Sequence, residues 1–320
     1  MNKDLLSVLK NTKDYISGEE LSKIFNVSRA AIWKQINTLK NKGYIIEGQT
    51  NKGYKLISSP DLIDINEFND ELKTNFIGKN LFYVNKTEST NELAKKKAPS
   101  SPDGTVILSE IQSGGKGRLG RSFISPQGGI WTSIILKPSI EPIYASKFTQ
   151  VAACALIKVL ISMDIKALIK WPNDIYLNGK KICGILTEMN CDMDRINYLI
   201  IGVGINVNLS KEVFPNQIKS TATSLQIEEN KSFNRSNILA NFLNEFETLY
   251  TNAANNNDFS EVFKVCNNNS IIINKDVYLI TSKGKEKIKC LGIDKDGALI
   301  AEDTNGNVKK IISGEITTHL

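Results

Sequence analysis

One stretch constrains the fold of this chain more than any other: residues 110–136, with the sequence EIQSGGKGRLGRSFISPQGGIWTSIIL. It interleaves four glycines with three cations, namely Gly114, Gly115, Gly117, Gly120, Lys116, Arg118 and Arg121. Glycine accepts positive φ and lets a backbone approach a ligand closely, and lysine and arginine side chains in such a loop suit phosphates. Apolar runs at 105–109 and 130–137 predict strands on both sides, which weighs against a solvated surface turn. The stretch therefore predicts a phosphate-binding loop between two strands.

Three better-known phosphate sites do not fit this sequence. The spacing Gly115-x-Gly117-x-x-Gly120 matches the dinucleotide-binding fingerprint, but that fingerprint requires a helix directly after the glycines. Here a turn at residues 125–129 and a predicted strand follow. The sequence also contains no His-Arg-Asp or Asp-Phe-Gly of a protein kinase, and no Gly-x-x-x-x-Gly-Lys-Ser/Thr. The loop is therefore predicted to bind phosphate in another way.

Length and composition predict a soluble globular protein of two or three domains. The chain has 320 residues, of which 41% are hydrophobic and 23% charged. No apolar run is expected to be long enough to cross a membrane, and the N-terminal MNKDLL lacks the apolar core of a signal peptide. The cysteines are odd in number and form no Cys-x-x-Cys, so we expect reduced thiols in a cytoplasmic protein; they are Cys154, Cys183, Cys191, Cys266 and Cys290.

Histidine chemistry is nearly excluded by the sequence. The single histidine, His319, is next to the last residue, so neither a histidine base nor a His-rich metal site is expected. Catalysis would then depend on Lys, Arg, Asp, backbone amides and a cation that arrives with a substrate. No residue is assigned as a metal ligand.

The first 60 residues carry most of the net charge. They hold ten Lys/Arg and five Asp/Glu, or +5, whereas the remaining chain holds 30 and 29, or +1. A basic excess confined to one end of the chain is typical of a nucleic-acid-binding module.

The pattern of this basic segment predicts a winged helix-turn-helix. Ser17 and Glu20 form a capping box before a helix with Ile24 facing inward, Ser28 caps a second helix, and a hairpin turns at residues 48–53. A small helical interaction domain is the alternative. The candidate DNA contacts are Ser28, Arg29, Trp33, Lys34, Gln35 and Lys52.

The remaining chain predicts a mixed α/β domain followed by a small β-barrel. Strand-like runs alternate with helical patterns up to an apolar helix at 236–253. Two further motifs lie at predicted strand ends, Lys170-Trp-Pro-Asn-Asp174 and Gly202-Val-Gly-Ile-Asn206. From residue 270 the pattern changes to short strands with glycine turns, which is typical of a small barrel.

Taken together, these motifs resemble one family. Gly115-Lys-Gly-Arg-Leu-Gly-Arg121, Lys170–Asp174 with Gly179-Lys-Lys181 after it, and Gly202–Asn206 stand between a winged helix and a small barrel. This order is similar to that of bifunctional biotin–protein ligases that also repress the biotin operon, over essentially the whole chain. The resemblance implies an α+β fold in three domains: a winged helix-turn-helix DNA-binding domain (1–60), a central mixed β-sheet with helices like that of class II aminoacyl-tRNA synthetases (61–268), and an SH3-like β-barrel (269–320).

The resemblance also implies a reaction and a regulatory role. Biotin's carboxylate would attack the α-phosphate of ATP, with Mg²⁺, to give biotinyl-5′-adenylate and pyrophosphate. A lysine of a biotin carboxyl carrier protein, usually of acetyl-CoA carboxylase, would then take the biotinyl group. The adenylate-bound form would be a homodimer that binds the operator DNA of genes for biotin synthesis and transport, with no membrane involved.

Site residues follow from the resemblance, position by position. Catalytic roles are implied for Arg118, Arg121, Asp174 and Lys181. Contacts to biotin are implied for Ser89, Thr90, Asn91, Gln112, Lys116, Gly117, Arg118 and Lys181. Contacts to the adenylate or ATP are implied for Arg118, Arg121, Phe123, Lys170, Asn173, Gly204 and Asn206. By themselves, Ser89–Asn91 would be interpreted as a helix cap and Lys170 with Asp174 as a local ion pair.

The sequence departs from the family pattern at three positions in the glycine stretch. Lys116 and Leu119 stand where the family often has arginine, and Phe123 stands where tryptophan is common. Phenylalanine can still stack on an adenine ring. The loss of one cation should not abolish activity, since Arg118 and Arg121 remain. A biotin-sensing DNA-binding regulator with weak or no ligase activity is one alternative, although retention of the implied catalytic residues favours an enzyme. A lipoate or octanoyl transferase is a further alternative, disfavoured by the winged helix.

Two loops are expected to order only when a ligand binds. Residues 114–124 and 207–224 are rich in glycine and polar residues. With little apolar anchoring, such segments are predicted to be mobile in the free protein.

Overall fold

The structure, a computed structural model, describes residues 5–41, 43–281 and 284–317. Two compact units make up the chain, Met1–Leu62 and Ile63–Leu320, and each has its own apolar core. The single histidine, His319, lies outside the described residues.

The first unit has three helices and a two-stranded hairpin. Its elements are α1 (Leu5–Asn11), α2 (Gly18–Phe25), α3 (Arg29–Asn41), β1 (Ile45–Gln49) and β2 (Gly53–Ser58). The two strands pair antiparallel. The core consists of the buried side chains Leu5, Leu9, Ile16, Leu21, Ile32, Ile36 and Ile46. The order of elements is the predicted one of a winged helix-turn-helix.

Two serines cap the helices of this unit, as predicted. The hydroxyls of Ser17 and Ser28 accept hydrogen bonds from the backbone N–H three residues on, at 3.0 and 3.2 Å. α2 ends at Asn26, which has a left-handed φ of 52° and turns the chain toward α3. The prediction for Ile24 was wrong, since this side chain is 46% exposed. Leu21 and Phe25, four residues apart, face the core, and Ile24 lies at the edge of that face.

A seven-stranded mixed sheet forms the framework of the second unit. Its strands are β3 (Leu81–Thr87), β4 (Thr105–Gln112), β5 (Ile130–Leu136), β6 (Leu168–Lys170), β7 (Asp174–Leu177), β8 (Lys180–Cys191) and β9 (Ile196–Ile205). They lie in the order β3-β4-β5-β9-β8-β7-β6. β3 and β4 run parallel, and every other neighbouring pair is antiparallel. The glycine stretch therefore connects two adjacent strands, β4 and β5, as predicted.

Helices cover both faces of this sheet. They are α4 (Ile65–Glu71), α5 (Thr90–Lys97), α6 (Lys147–Ser162), α7 (Leu225–Glu229), α8 (Arg235–Asn256) and α9 (Ser260–Asn268). α6 and α8 belong to a large core that includes Ile134 and Ile201 of the sheet. α5 packs instead on Ile135 and Ile200. Because successive strand residues point to opposite faces, α5 lies across the sheet from α6 and α8.

The C-terminal part of this unit, predicted from the sequence as a small β-barrel, is a five-stranded antiparallel sheet. Its strands, β10 (Asp276–Thr281), β11 (Gly284–Ile293), β12 (Leu299–Asp303), β13 (Val308–Ile311) and β14 (Glu315–Thr317), lie in the order β13-β12-β11-β10-β14. The Gly297 carbonyl accepts hydrogen bonds from Gln150 Nε2 at 2.7 Å and Trp171 Nε1 at 3.3 Å. Trp171 precedes Pro172 through a cis peptide bond. The Lys-Trp-Pro-Asn-Asp motif thus fastens the C-terminal sheet to the central one.

One apolar helix overturns a sequence expectation. Among the described residues, the segment Pro142–Ser162 is long and apolar enough, by length and composition, to cross a membrane. The expectation that no run reaches that length was therefore wrong. Because 78% of its apolar window is buried within the protein, the segment has the surroundings of a core helix.

A buried ion pair connects the glycine stretch to α8. Arg235 Nη2 lies 2.9 Å from Glu110 Oε2, and the two side chains are 0% and 1% exposed. Glu110 also accepts hydrogen bonds from the Ile63 N–H at 2.9 Å and from the Tyr83 hydroxyl. Arg235 Nη1 donates to the Gly129 carbonyl at 2.8 Å. One carboxylate and one guanidinium therefore fix both ends of the segment that connects β4 to β5.

We predict that Arg235→Met strongly destabilises the second unit. Removing one partner of a buried pair leaves an uncompensated charge, at a cost of about 3–5 kcal/mol. The matched control is Arg195→Met, whose ion pair with Asp192 at 3.0 Å is largely exposed and should cost less than about 1 kcal/mol. Urea unfolding followed by circular dichroism measures both free energies of unfolding, and equal losses would contradict the prediction.

Candidate active site

A cavity opens on the α5 face of the central sheet. It has about 930 Å³ of empty space, including the part open to solvent. It brings together most of the residues implied by the resemblance: Ser89, Thr90, Asn91, Gln112, Lys116, Gly117, Arg118, Arg121, Phe123, Asn173, Asp174, Lys181 and Gly204. Residues from the three motifs, distant in sequence, thus share one site.

One wall of the cavity is a hydrogen-bonded set of polar side chains at the start of α5. Thr90 donates from its N–H and its hydroxyl to Gln112 Oε1, at 2.7 and 3.0 Å. Gln112 Nε2 donates to Ser125 Oγ at 2.8 Å. Ser133 Oγ lies 2.7 Å from Thr90 Oγ1 and 2.6 Å from Asn91 Oδ1. These bonds fix the directions in which the wall can offer donors and acceptors to a ligand.

The floor of the cavity is made of glycines. Gly184 and Gly204 are cross-strand partners on β8 and β9. A methyl group at Gly202 would lie 2.2 Å from Asn91 Oδ1, and methyl groups at Gly204 and Gly184 would lie 2.7 and 2.9 Å from the Phe123 ring. Any larger residue would displace Asn91 or Phe123. The glycines of the third motif therefore make room for the cavity's own side chains.

Phe123 contacts a small apolar cluster beneath the cavity. Its ring meets Trp131 edge to face, with centroids 5.9 Å apart. Phe214, only 4% exposed, belongs to the same cluster. The loop 207–224 is thus anchored by apolar side chains, contrary to the expectation from its polar composition. Backbone hydrogen bonds of 2.8 and 2.9 Å also join residues 221 and 223 to Lys181.

Two arginines of the glycine stretch reach the C-terminal sheet. Arg121 donates to both carboxylate oxygens of Glu315 at 2.7 Å, and this hydrogen bonding holds the pKa of Glu315 below its ordinary value. Arg118 donates to Asn173 Oδ1 at 3.2 Å and to the Gly314 carbonyl at 3.3 Å. The cationic side of the cavity is therefore assembled from the glycine stretch, the Lys-Trp-Pro-Asn-Asp motif and β14.

Lys181 and Asp174 face each other at the centre of the site. Lys181 Nζ lies 2.7 Å from Asp174 Oδ1, and the side chains are 29% and 20% exposed. The same carboxylate oxygen is buried and, among the described residues, has no hydrogen bond of good geometry. The contact is therefore an ion pair that leaves this oxygen able to accept a further hydrogen bond.

Two residues implied by the resemblance do not line the cavity. The ammonium of Lys170 is directed to the Tyr176 hydroxyl, 3.4 Å away, and burial lowers the pKa of Lys170. Asn206 is 5% exposed, and its side chain donates to the Thr223 carbonyl at 2.9 Å. Each belongs to a motif that contributes other residues to the cavity lining, but its own side chain bonds to the surrounding structure.

Other lining residues were not found from the sequence. Glu315 comes from the C-terminal sheet, and its partner Arg121 is far away in the chain, so no local pattern indicates it. Gly204 on β9 was implied by the resemblance, whereas Gly184 on β8 and Gly202 on β9 were not. Both stand among apolar residues, a pattern that could have indicated them. The remaining ones are Leu119, Ser122, Thr132, Ile185, Leu186, Gly202 and Val203.

The predicted DNA contacts lie on the first unit. Trp33 on α3 is 60% exposed, and Ser28, Arg29, Lys34, Gln35 and Lys52 are also exposed. Arg29 forms an ion pair with Glu19 of α2. Lys52 lies at the hairpin tip with its ammonium 5.7 Å from the Tyr15 ring centre. An exposed helix face and a basic hairpin tip are the surfaces that a winged helix presents to DNA.

Three known sequence families match successive parts of the chain. An HTH domain matches residues 2–55. The Biotin/lipoate A/B protein ligase family matches residues 83–206, which contain the cavity's three motifs. The Biotin protein ligase C terminal domain matches residues 272–317.

Similar proteins agree with these matches. The bifunctional ligase/repressor BirA of Bacillus spizizenii is 36% identical over 320 residues, covering 99% of this chain and 98% of that protein. BirA of Escherichia coli is 29% identical over 98% of this chain and 95% of its own length. The structure of an Aquifex aeolicus biotin protein ligase in complex with biotin and ATP matches with a TM-score of 0.66 and 28% identity, over 75% of this chain and 98% of that one. The chain therefore belongs to the family of bifunctional biotin ligase/repressor proteins.

Proposed function

We propose that this protein activates biotin with ATP as biotinyl-5′-adenylate and transfers the biotinyl group to a lysine of a biotin carboxyl carrier protein. We propose further that it represses genes of biotin synthesis and transport when the adenylate is bound. One observation carries the proposal: a single cavity collects the cations of the glycine stretch, the Asp174–Lys181 pair and the polar wall of α5. The relatives named bifunctional ligase/repressor combine the same two activities in one chain.

The first step brings two anions together. A carboxylate oxygen of biotin forms a bond to the α-phosphorus of ATP, the bond from that phosphorus to the bridging oxygen breaks, and pyrophosphate leaves. Lys181, Arg118 and Arg121 would supply the positive charge that this approach requires, since all three line the cavity. Cations held in place before the reaction stabilise developing charge without reorganising in the transition state.

The second step transfers the acyl group to an amine. The carrier's lysine nitrogen attacks the biotinyl carbonyl carbon, the carbon–oxygen bond of the mixed anhydride breaks, and AMP leaves. Asp174 is proposed to orient that amine and to take its proton. The support is its buried oxygen, which can still accept a hydrogen bond.

Biotin's polar ring is proposed to bind at the start of α5. A ureido group offers two N–H donors and one carbonyl acceptor. Ser89, Thr90, Asn91 and Gln112 together can match both, and the first three are nearly buried, at 3–4% exposure. Polar groups removed from water discriminate strongly against ligands that leave them unpaired.

We propose that Mg²⁺ enters with ATP. Among the described residues, no group of three or more His, Cys, Asp or Glu side chains could hold a metal ion. An ion carried mainly by phosphate oxygens and water fits that finding. The five unpaired cysteines support a reducing, cytoplasmic site of action.

Three domains are proposed to divide this work: 1–60 for DNA binding, 61–268 for catalysis and 269–320 as an SH3-like barrel. The compact unit that ends at Leu62 and the separate five-stranded sheet support these bounds. A biotin sensor without ligase activity would not require Arg118, Asp174 and Lys181 in one cavity, so the enzyme is favoured.

Lys181→Ala should reduce adenylate formation by about 100-fold or more, because a charge that meets biotin's carboxylate is lost from a preorganised site. The matched control is Lys180→Ala, which changes the preceding residue of β8 and does not line the cavity. Pyrophosphate release measures the rate, and calorimetry measures biotin affinity. Wild-type biotin affinity in Lys181→Ala would remove this residue from the site.

Arg118→Gly should still form some adenylate but release it quickly. The variant loses the guanidinium that connects the glycine stretch to Asn173 and Gly314, and with it the expected phosphate contact. Retention of radiolabelled adenylate through gel filtration measures the effect. Retention equal to that of the wild type would rule out this role.

Repression is proposed to depend on dimerisation of the adenylate-bound form. A single winged helix with a charge of +5 binds DNA mainly through phosphates and with little selectivity, whereas two copies on a palindrome act together. Leu119 supports a role for the glycine stretch. Its side chain is 82% exposed and its φ is 57°, so a partner subunit could bury it once the loop has closed. A carrier protein that used the same face would compete with the dimer.

Biotin with ATP should therefore raise both the dimer fraction and the operator affinity, the latter by roughly 100-fold. Excess unbiotinylated carrier should lower both. Sedimentation alongside DNA binding measures them, and a chain without residues 1–60 should lose DNA binding while it keeps much of its ligase activity. If operator affinity stays constant while adenylate is bound, the repressor function is excluded.

A further inference from the structure

A chain of alternating charges runs along α5 beside the cavity. Lys116 Nζ lies 2.9 Å from Glu92 Oε1, and Lys95 Nζ lies 3.0 Å from the same oxygen. Lys95 Nζ is also 2.7 Å from Glu188 Oε1. Glu188 Oε2 accepts a hydrogen bond from Asn91 Nδ2 at 2.8 Å. The proposed reaction assigns no task to Glu92, Lys95 or Glu188.

The central members of this row of charges are partly buried. The side chains of Glu92, Lys95 and Glu188 are 27%, 33% and 29% exposed, against 46% for Lys116. The hydrogen bond from Lys116 lowers the pKa of Glu92. Burial lowers the pKa of Lys95, but hydrogen bonds to Glu188 and Glu92 more than offset it, and the net pKa is raised. Glu92 and Lys95 are therefore both charged at neutral pH.

One end of the chain is the polar wall of the cavity. Besides Glu188, Asn91 Nδ2 reaches the Leu186 carbonyl at 3.3 Å, and Asn91 Oδ1 faces Ser133 Oγ at 2.6 Å. Both amide hydrogens are thus used by the protein, while Oδ1 can accept one more hydrogen bond. Glu188 therefore determines which atom Asn91 presents to a ligand.

The other end is the base of the glycine loop. Lys116 pairs with Ser122 in an isolated bridge, and the Gly117 N–H donates to the Arg121 carbonyl at 2.7 Å. These contacts form a small closed turn that carries Arg118. Because Arg118 is two residues from Lys116, an anchor on the Lys116 side chain restricts where its guanidinium can lie.

We propose that Glu92 is a positioning residue that latches the glycine loop through Lys116, and that Lys95 and Glu188 connect this latch to Asn91. Occupation of the polar wall and closure of the cationic loop are then coupled, since each stabilises the same row of charges. The inference rests on the proposed function for the identity of the ligand. It assigns to the Lys116 side chain a task other than the contact to biotin that the resemblance implies.

The test uses the full-length chain and Glu92→Gln, which keeps the shape and removes the charge. A partly exposed ion pair of this kind changes equilibria only modestly. Release of biotinyl-adenylate should therefore accelerate roughly two- to five-fold, with little change in urea unfolding. The matched control is Lys96→Met, an exposed lysine of the same helix, which should release adenylate at the wild-type rate.

A double-mutant cycle identifies the pair. If Glu92 acts through Lys116, the variant Glu92→Gln/Lys116→Gln should release adenylate no faster than either single variant. Additive effects would mean that the two residues act separately and would overturn the latch. Lys95→Met should weaken biotin binding as well as adenylate retention, although it contacts neither ligand nor loop directly. An effect on retention alone would remove Asn91 from the proposal.

Hydrogen exchange of the ligand-free protein separates the latch from the proposed function. The amides of Gly117 and Phe123, both hydrogen-bonded within the loop, should exchange roughly two- to five-fold faster in Glu92→Gln than in the wild type. Unchanged exchange overturns the latch, whether or not the protein forms an adenylate. A wild-type chain that forms no adenylate while Glu92→Gln loosens the loop would instead overturn the proposed function and leave the latch standing.

Discussion

The buried pair of Glu110 and Arg235 is the constraint on which the rest of the structure depends. A charge at 0–1% exposure is tolerable only when it is paired and its remaining donors and acceptors are satisfied. Hydrogen bonds of this pair connect three separate parts of the second unit. They are its start at Ile63, the edge strand at Tyr83 and the residue just before β5, Gly129. The two ends of the loop between β4 and β5 are thereby held in place, so weaker contacts are enough to position its polar residues.

Patterns local in sequence were enough to predict much of this architecture. The winged helix followed from caps at Ser17 and Ser28 and from its basic charge, and the strands flanking the glycine stretch followed from apolar runs. Most of the implied site residues do line one cavity, because the three motifs lie at the ends of strands that are neighbours in the sheet. Their chemical roles remain predictions.

Side-chain direction and distant contacts could not be predicted from these patterns. Lys170 belongs to the most specific motif, yet it is directed to Tyr176 and away from the cavity. Glu315 and Arg121 meet only because the C-terminal sheet packs beside the loop. The loop 207–224 was misjudged for a related reason: composition counts its polar residues, whereas packing depends on where the few apolar ones, such as Phe214, are placed.

The cations of the cavity have partners within the protein. Lys181 is paired with Asp174, Arg121 with Glu315 and Lys116 with Glu92, while Arg118 donates to Asn173 and a backbone carbonyl. These contacts hold the charges in place without substrate, which lowers the cost of ordering them later. An anion that binds Lys181 or Arg121 must compete with the carboxylate of Asp174 or Glu315. Its binding therefore rearranges these ion pairs. Because Glu315 lies on the C-terminal sheet, such a rearrangement extends to residues outside the cavity. Ligand binding would therefore also alter the protein surface.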